Sequence, residues 1–569
     1  MFQQDLEAVG GSLTLSALVA AVPLLTLFVL LGALRMKAWQ AGLISLAVTI
    51  VLAVLAFSMP VGQALLATTQ GAVFGFFPIL WIVINAIWVY NLTVASGHFD
   101  VLRRSFEKVS PDQRVQAIII AFCFGALLEA LAGFGTPVAI TVVMLMALGF
   151  EPIKAAVVAL IANTAPVAFG ALATPIVTLA AVTSGVNDDS RLTVETLGAM
   201  VGRQTPILAI FVPLILVLVV DGKRGVRQTW LPALVCGFAF AVSQYVAANF
   251  ISVPLADIIA ALGGALAVVA LSRVWQPAET ITADAEAIRE NAKRTGGDTS
   301  ASASTGGVAV DQGGPVKDSG GEVAKAYAPY LIIIAIFSIV NIPAVKEFFA
   351  AEPWTIVFSW PGLEVLNPSG EPVSTTMYTF NWLPAAGTLM ILAGLLTMIV
   401  LKVSPARGLA TYGKTYAELK WAILTVMAVL ALAYVLNLSG MTVSLGAWLA
   451  QTGAAFAIIS PILGWIGVAV TGSDTSANAL FGALQVQTAA QAGLDPVLMA
   501  SANTSGGVLG KMVSPQNLAI AAAAVGLAGR EGDIFRKVIG WSLGLLVLMC
   551  ILVGLQATPV LDWMVPAAP

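Results

Sequence analysis

Charge is what this chain has least of. Of its 569 residues only 10% are Asp, Glu, Lys or Arg, while 59% are hydrophobic, and the mean hydropathy is +0.93. A soluble domain clothes its surface with about 25% charged residues. So few charges exclude a water-exposed globule and leave lipid or other protein around most of the chain. Histidine is nearly absent; the single one, His98, excludes bis-His haem and argues against zinc held by imidazoles. The three cysteines, Cys123, Cys236 and Cys550, stand in apolar runs without ligand spacing and read as buried thiols. No nucleotide-binding glycine loop, metal cluster or nucleophile–base pair is legible, so no enzyme, cofactor, metal or nucleic-acid partner is expected. The net charge of −3 is spread over loops and identifies no partner.

What the chain has is apolar runs. A membrane-spanning helix needs about 20 residues. Single spans are expected near 12–34, 38–58, 72–95, 203–220, 230–250, 253–272, 327–342, 382–402, 421–438 and 538–556. The first follows an acidic start (Asp5, Glu7), so it is expected to be retained rather than cleaved as a signal peptide. Lys and Arg in short loops mark the cytoplasmic side. Arg35 and Lys37, then Arg103, Arg104, Lys108 and Arg114, then Lys223, Arg224 and Arg227, then Lys402, Arg407, Lys414 and Lys420, and last Arg530, Arg536 and Lys537 supply that mark. Both termini are then expected outside. From Gln276 to Lys325 the hydropathy collapses into a Gly/Ser/Thr-rich stretch, read as a cytoplasmic connector.

Two longer apolar regions, 115–184 and 442–528, are broken by Gly, Pro, Asn, Thr and Ser. Each carries an Asn-Thr pair with Gly seven residues and Pro twelve residues after the Asn: Asn163, Thr164, Gly170, Pro175, and Asn503, Thr504, Gly510, Pro515. The orientation assigned by the basic loops makes the first region cross outward and the second inward. The expected plan is therefore an inverted repeat: 1–220, a connecting hairpin 221–275, the linker 276–325, and 326–569. Broken helices survive in a membrane only inside protein or beside a water-filled cavity, and paired breaks in inverted halves commonly meet at the midplane. Gly133, Gly135, Asn163, Thr164, Ser473, Asn503, Thr504, Ser505 and Lys511 are therefore candidate substrate contacts. The alternative for the Asn-Thr pairs is that they only cap packed half-helices.

Carboxyls at membrane depth are costly when ionised. Glu129, in "GALLEALAGFGTPVAI", and Asp474, in "TGSDTSANALFGALQ", are candidates for proton coupling, with Asp257 in reserve. Glu129 lies about one turn before the Gly133–Gly135 break and is the favoured proton carrier. Asp474 reads as a cap that organises the second hairpin. Lys511 is either an ion-pair partner of a carboxyl or an attractor for an anionic substrate. Arg203 reads as an anchor at the end of its span, and His98 as a loop-edge residue.

The stretches "GALLEALAGFGTPVAI", "IANTAPVAFGA", "TGSDTSANALFGALQ" and "ANTSGGVLGKMVSPQ" resemble signatures of the bacterial L-lactate permease family, which includes glycolate permeases; "GRQTP", "DGKRG" and "WQP" extend the resemblance over nearly the whole chain. It implies inner-membrane symport of L-lactate, D-lactate, glycolate and related 2-hydroxymonocarboxylates with protons. A sodium-coupled carboxylate carrier of the same architecture is the alternative. The Asn-Thr signatures are also similar to those of the wider ion-transporter superfamily. That similarity implies an all-α polytopic fold of about 12–14 membrane segments, re-entrant hairpins, elevator-like movement and a homodimer.

Overall fold

With no water to bind them, backbone N–H and C=O groups in hydrocarbon must pair within their own segment, and the apolar runs become helices. In the computed structural model, residues 1–133, 135–187, 189–282, 291 and 318–567 are described, and most of the expected linker 276–325 lies outside them. The protein is an all-α polytopic membrane protein. Among the described residues ten helices are long and apolar enough to cross a membrane, and five shorter apolar helices accompany them.

The expected spans are found, with altered ends. The run expected at 72–95 begins at Val61 and is broken at Phe77, whose extended backbone (φ −125°, ψ 121°) precedes Pro78. Proline has no N–H to give the helix and disfavours a helical residue before it. The run expected at 421–438 is a 34-residue helix, Pro405–Leu438, started by Ser404 and Pro405. That at 382–402 shrinks to Ala386–Val400. The spans near 203–220 and 230–250 are joined without an open loop, through non-helical residues Asp221, Gly222 and Thr229.

The polar connections sort to two sides. On one, Phe2–Gln3 pairs in parallel with Val365–Leu366, Ser374 Oγ donates to the Gly185 carbonyl, and Arg191 and Arg203 donate to the carbonyls of Pro566 and Met564. The 343–381 excursion there carries an antiparallel pair, Ile356–Ser359 with Met377–Phe380, which hydropathy alone does not signal. On the other side, Arg114 is sealed from solvent, bidentate to Asp112 and bonded to Asp221, Gln228 and the Glu279 carbonyl. There too, Arg104 is bidentate to Asp318, Lys108 reaches the same carboxyl, and His98 faces Glu322.

The two broken regions follow one order of elements. The first runs Gln113–Ala132, a Gly133–Gly135 tip, Thr136–Ala147, Pro152–Ala162, a break, and Thr174–Thr183. The second runs Phe456–Thr471, a Gly472–Ser473 tip, Asp474–Ala492, Pro496–Gly510, a break, and Pro515–Ala524. Tip residues Gly135 (φ +85°) and Gly472 (φ +74°) take the left-handed backbone that only glycine adopts freely. Gln113–Ala132 is buried from Arg114 onward.

In the second region Phe456–Thr471 and Pro496–Gly510 pack backbone against backbone. A Cβ at Gly464 would overlap the Asn503 carbonyl, and one at Gly506 or Gly510 the carbonyl of Pro461 or Trp465. Gly506 and Gly510 form the small-xxx-small spacing that lets membrane helices approach closely. Gly506→Ala is expected to lower stability by about 1–3 kcal/mol, the usual scale of overpacking, read as a fall in the thermal midpoint in detergent. An unchanged midpoint would mean that the helices part at little cost.

Candidate functional site

Three chain breaks meet at Glu129. Its Oε1 accepts from Lys511 Nζ at 2.7 Å, and its Oε2 accepts from Asn163 Nδ2 at 2.9 Å. Asn163 is the residue on which helix Pro152–Ala162 ends, and Lys511 the residue on which Pro496–Gly510 ends. A cation is favoured at such a C-terminus, where unpaired carbonyls point along the axis. The side chains of Lys511 and Glu129 are 8% and 4% exposed, so this is a buried ion pair between the two broken regions. The Asn163 carbonyl oxygen, Oδ1, has no hydrogen-bond partner among the described residues.

The pair stands in the wall of a cavity of about 1110 Å³. Gly133, Thr174, Ser473, Asp474, Thr475 and Ser476 line its inner part, and Arg35, Lys37, Trp39, Trp421 and Glu531 line the other end. Trp39 and Trp421 are stacked there at 4.9 Å. Ser473, not Asp474, caps helix Asp474–Ala492: its Oγ accepts from Ser476 N at 3.2 Å. This corrects the reading of Asp474 as the cap. Asp474 is the first helical residue, and both its carboxyl oxygens are sealed and without a hydrogen-bond partner among the described residues. It has room because Gly507 faces it; a Cβ there would overlap Oδ1.

Other sequence candidates lie away from the cavity. Asn503 donates to Asn478 Oδ1 (2.9 Å) and accepts from Gln485 (3.0 Å), while Thr504 donates to the same Asn478 oxygen (2.9 Å). Asn478 in turn donates to the carbonyl of Pro175, which ties the second Asn-Thr pair to the break of the first region. Ser505 donates to Gln204, and Gln204 to Gln556. Thr164 donates to Ile161 O. Gly135 heads helix Thr136–Ala147 against Ile520. Asp257 is buried, accepting from Gln244 at 2.9 Å through one oxygen, while the other has no hydrogen-bond partner among the described residues. Among the described residues no group of three or more His, Cys, Asp or Glu is placed to hold a metal ion.

The two Asn-Thr motifs therefore differ locally. In the first, Pro166 stops the helix and the chain turns irregularly through Gly170. In the second, Ser-Gly-Gly replaces Ala-Pro-Val, and the helix continues to Gly510. Asn478, Gln485, Gln204 and Gln244 were not singled out from sequence, although polar residues in otherwise apolar helices were a usable signal. Thr475 and Ser476 stand inside "TGSDTSANALFGALQ", where sequence gives no reason to prefer them to their neighbours.

A family model described as L-lactate permease matches residues 16–560. The chain is 41% identical over 581 residues to the L-lactate permease of Bacillus subtilis (strain 168), covering 99% of each. It is 42% identical over 562 residues to the glycolate permease GlcA of Escherichia coli (strain K12), covering 96% of each. Against the solved structure of MtrF from Neisseria gonorrhoeae the TM-score is 0.46 at 11% identity, over 87% of this chain and 84% of that one.

Proposed function

The chain belongs to the L-lactate permease family, and from that premise we propose that it is a secondary carrier performing proton-coupled symport of L-lactate and related 2-hydroxymonocarboxylates, glycolate and D-lactate among them. The observation that carries this reading is the buried Lys511–Glu129 pair in the cavity wall. Empty, the pair is neutral. If a substrate carboxylate alone joined Lys511, two anions would face one cation in a low-dielectric site; if a proton alone joined Glu129, a lone ammonium would be left buried. Each such state costs several kcal/mol. With both, Lys511 pairs with the substrate, Glu129 is neutral, and the site again carries no net charge. Proton and anion thus favour each other's binding, and reciprocally.

The same reading makes 115–184 and 442–528 inverted repeats that move elevator-fashion in a homodimer. The chain then resides in the inner membrane with both termini outside, the 276–325 linker in the cytoplasm, and the cavity open inward through Arg35 and Lys37. The basic loops and the parallel order of the two regions support it.

The test is uptake of radiolabelled L-lactate into proteoliposomes. An inward proton gradient is expected to drive accumulation, glycolate to compete, and the initial rate to be unchanged when sodium is removed or the membrane potential is clamped. A strict sodium requirement without response to the proton gradient overturns proton coupling. A potential-dependent rate overturns the neutral exchange of partners at Lys511.

A further inference from the structure

At about 1110 Å³ the cavity exceeds the roughly 300–1,000 Å³ of an ordinary small-molecule site. Shape alone therefore cannot select a small acid here; polar contacts must. Two hydroxyls are available for that work. Thr475 and Ser476 line the cavity, are 8% and 7% exposed, and their hydroxyl oxygens have no hydrogen-bond partner among the described residues. Neighbouring hydroxyls are engaged: Ser473 Oγ holds the Ser476 N–H, Thr471 donates to the Gly467 carbonyl, and Thr174 to the Ala171 carbonyl.

Their backbone adds to the case. They sit in the first turn of a 19-residue helix, where N–H groups lack intrahelical acceptors and the dipole favours negative charge. Ser473 satisfies the N–H of Ser476, while those of Asp474 and Thr475 have no acceptor among the described residues. A hydroxyl can donate or accept, so a ligand group that does both can bond either the Thr475 or the Ser476 hydroxyl, while Lys511 supplies the cation that a carboxylate needs.

We propose that Thr475 and Ser476 form a subsite for the substrate's 2-hydroxyl, while Lys511 takes its carboxylate. This rests on the substrate class proposed above and adds the specificity determinant. The carrier then selects 2-hydroxy acids over their unhydroxylated analogues because propionate leaves the subsite's polar groups unpaired. A site built to bond a hydroxyl rejects the analogue that lacks one far more strongly than an apolar pocket rejects a change of size.

The experiment is lactate–lactate exchange in proteoliposomes with propionate or glycolate as competitor, a readout that needs no proton gradient. In the wild type, propionate is expected to compete about 10-fold or more less well than unlabelled lactate. Thr475→Val combined with Ser476→Ala is expected to bring the two within about threefold, and Thr475→Ser to keep the wild-type ratio. Two results overturn the proposal. One is wild-type protein for which propionate competes as well as lactate. The other is a double variant, or Ser476→Ala and Thr475→Val singly, that exchanges lactate with undiminished discrimination. Failure of proton coupling would appear instead as exchange without pH-driven accumulation, which leaves this ratio measurable.

Discussion

Lys511→Ala is expected to reduce lactate uptake by roughly 100-fold or more and to destabilise the protein by about 3–5 kcal/mol, because Glu129 would remain buried without its cation. The two effects separate in the double variant Lys511→Ala with Glu129→Ala. Removing both partners removes the uncompensated charge, so the thermal midpoint should largely recover while uptake stays lost. If the double variant regains both, Lys511 serves the fold and does not bind substrate. Lys511→Arg should keep the charge yet still transport poorly. A planar fork cannot occupy the site of a compact ammonium that reaches a single carboxyl oxygen at 2.7 Å.

Glu129→Gln should leave exchange intact and abolish accumulation. The amide holds Lys511 free of its anion, so substrate can bind and cross, but no proton has to accompany it. The amide also fits: the unpartnered oxygen of Asn163 can turn to accept from it, and its carbonyl can still face Lys511. Counter-flow of labelled lactate measures the first property, and uptake under an inward proton gradient the second. Asp474→Asn should retain accumulation, since Asp474 has no cationic partner to release, and Asp257→Asn likewise. If Glu129→Gln still accumulates lactate while Asp474→Asn or Asp257→Asn is left with exchange only, the proton belongs to that aspartate.

Sequence alone brought together charged residues that share one cavity, but not the contacts that each makes. Glu129, Asp474 and Lys511 were legible because a charge inside a long apolar run must have a reason to be there, and all three line one cavity. The Asn-Thr repeat was legible as a pattern, but its geometry was not. A side chain's position on a buried helix depends on where that helix stops, and Pro166 stops one helix where the other runs on to Gly510. Asn503 and Thr504 therefore face Asn478 and Gln485 across a helix pair, a juxtaposition that no local spacing encodes. Ser473 and Asp474 were adjacent candidates for one cap, and the hydroxyl rather than the carboxylate took it. Of the fold, the spans were readable from hydropathy alone. The break at Phe77 has a local cause in Pro78, whereas the strands of the 343–381 excursion depend on contacts made only after folding.

The anchoring of the chain at Thr282 and Asp318 has a consequence for evolution. Just before Thr282, the Ile281 N–H donates to the Asp112 carboxylate and its carbonyl accepts from the Gln113 N–H, and Glu279 meets Arg114, Arg224 and Gln228. From Asp318 onward, residues grip Arg104, Lys108 and His98. Both ends of the intervening segment are therefore fastened to one short piece of the first half, residues 98–114. Selection is therefore expected to hold Arg114 and Arg104, whose loss would release the chain at Glu279 and Asp318. It is expected to hold Asn291 as well, which is buried and donates to the carbonyls of Met146 and Phe150.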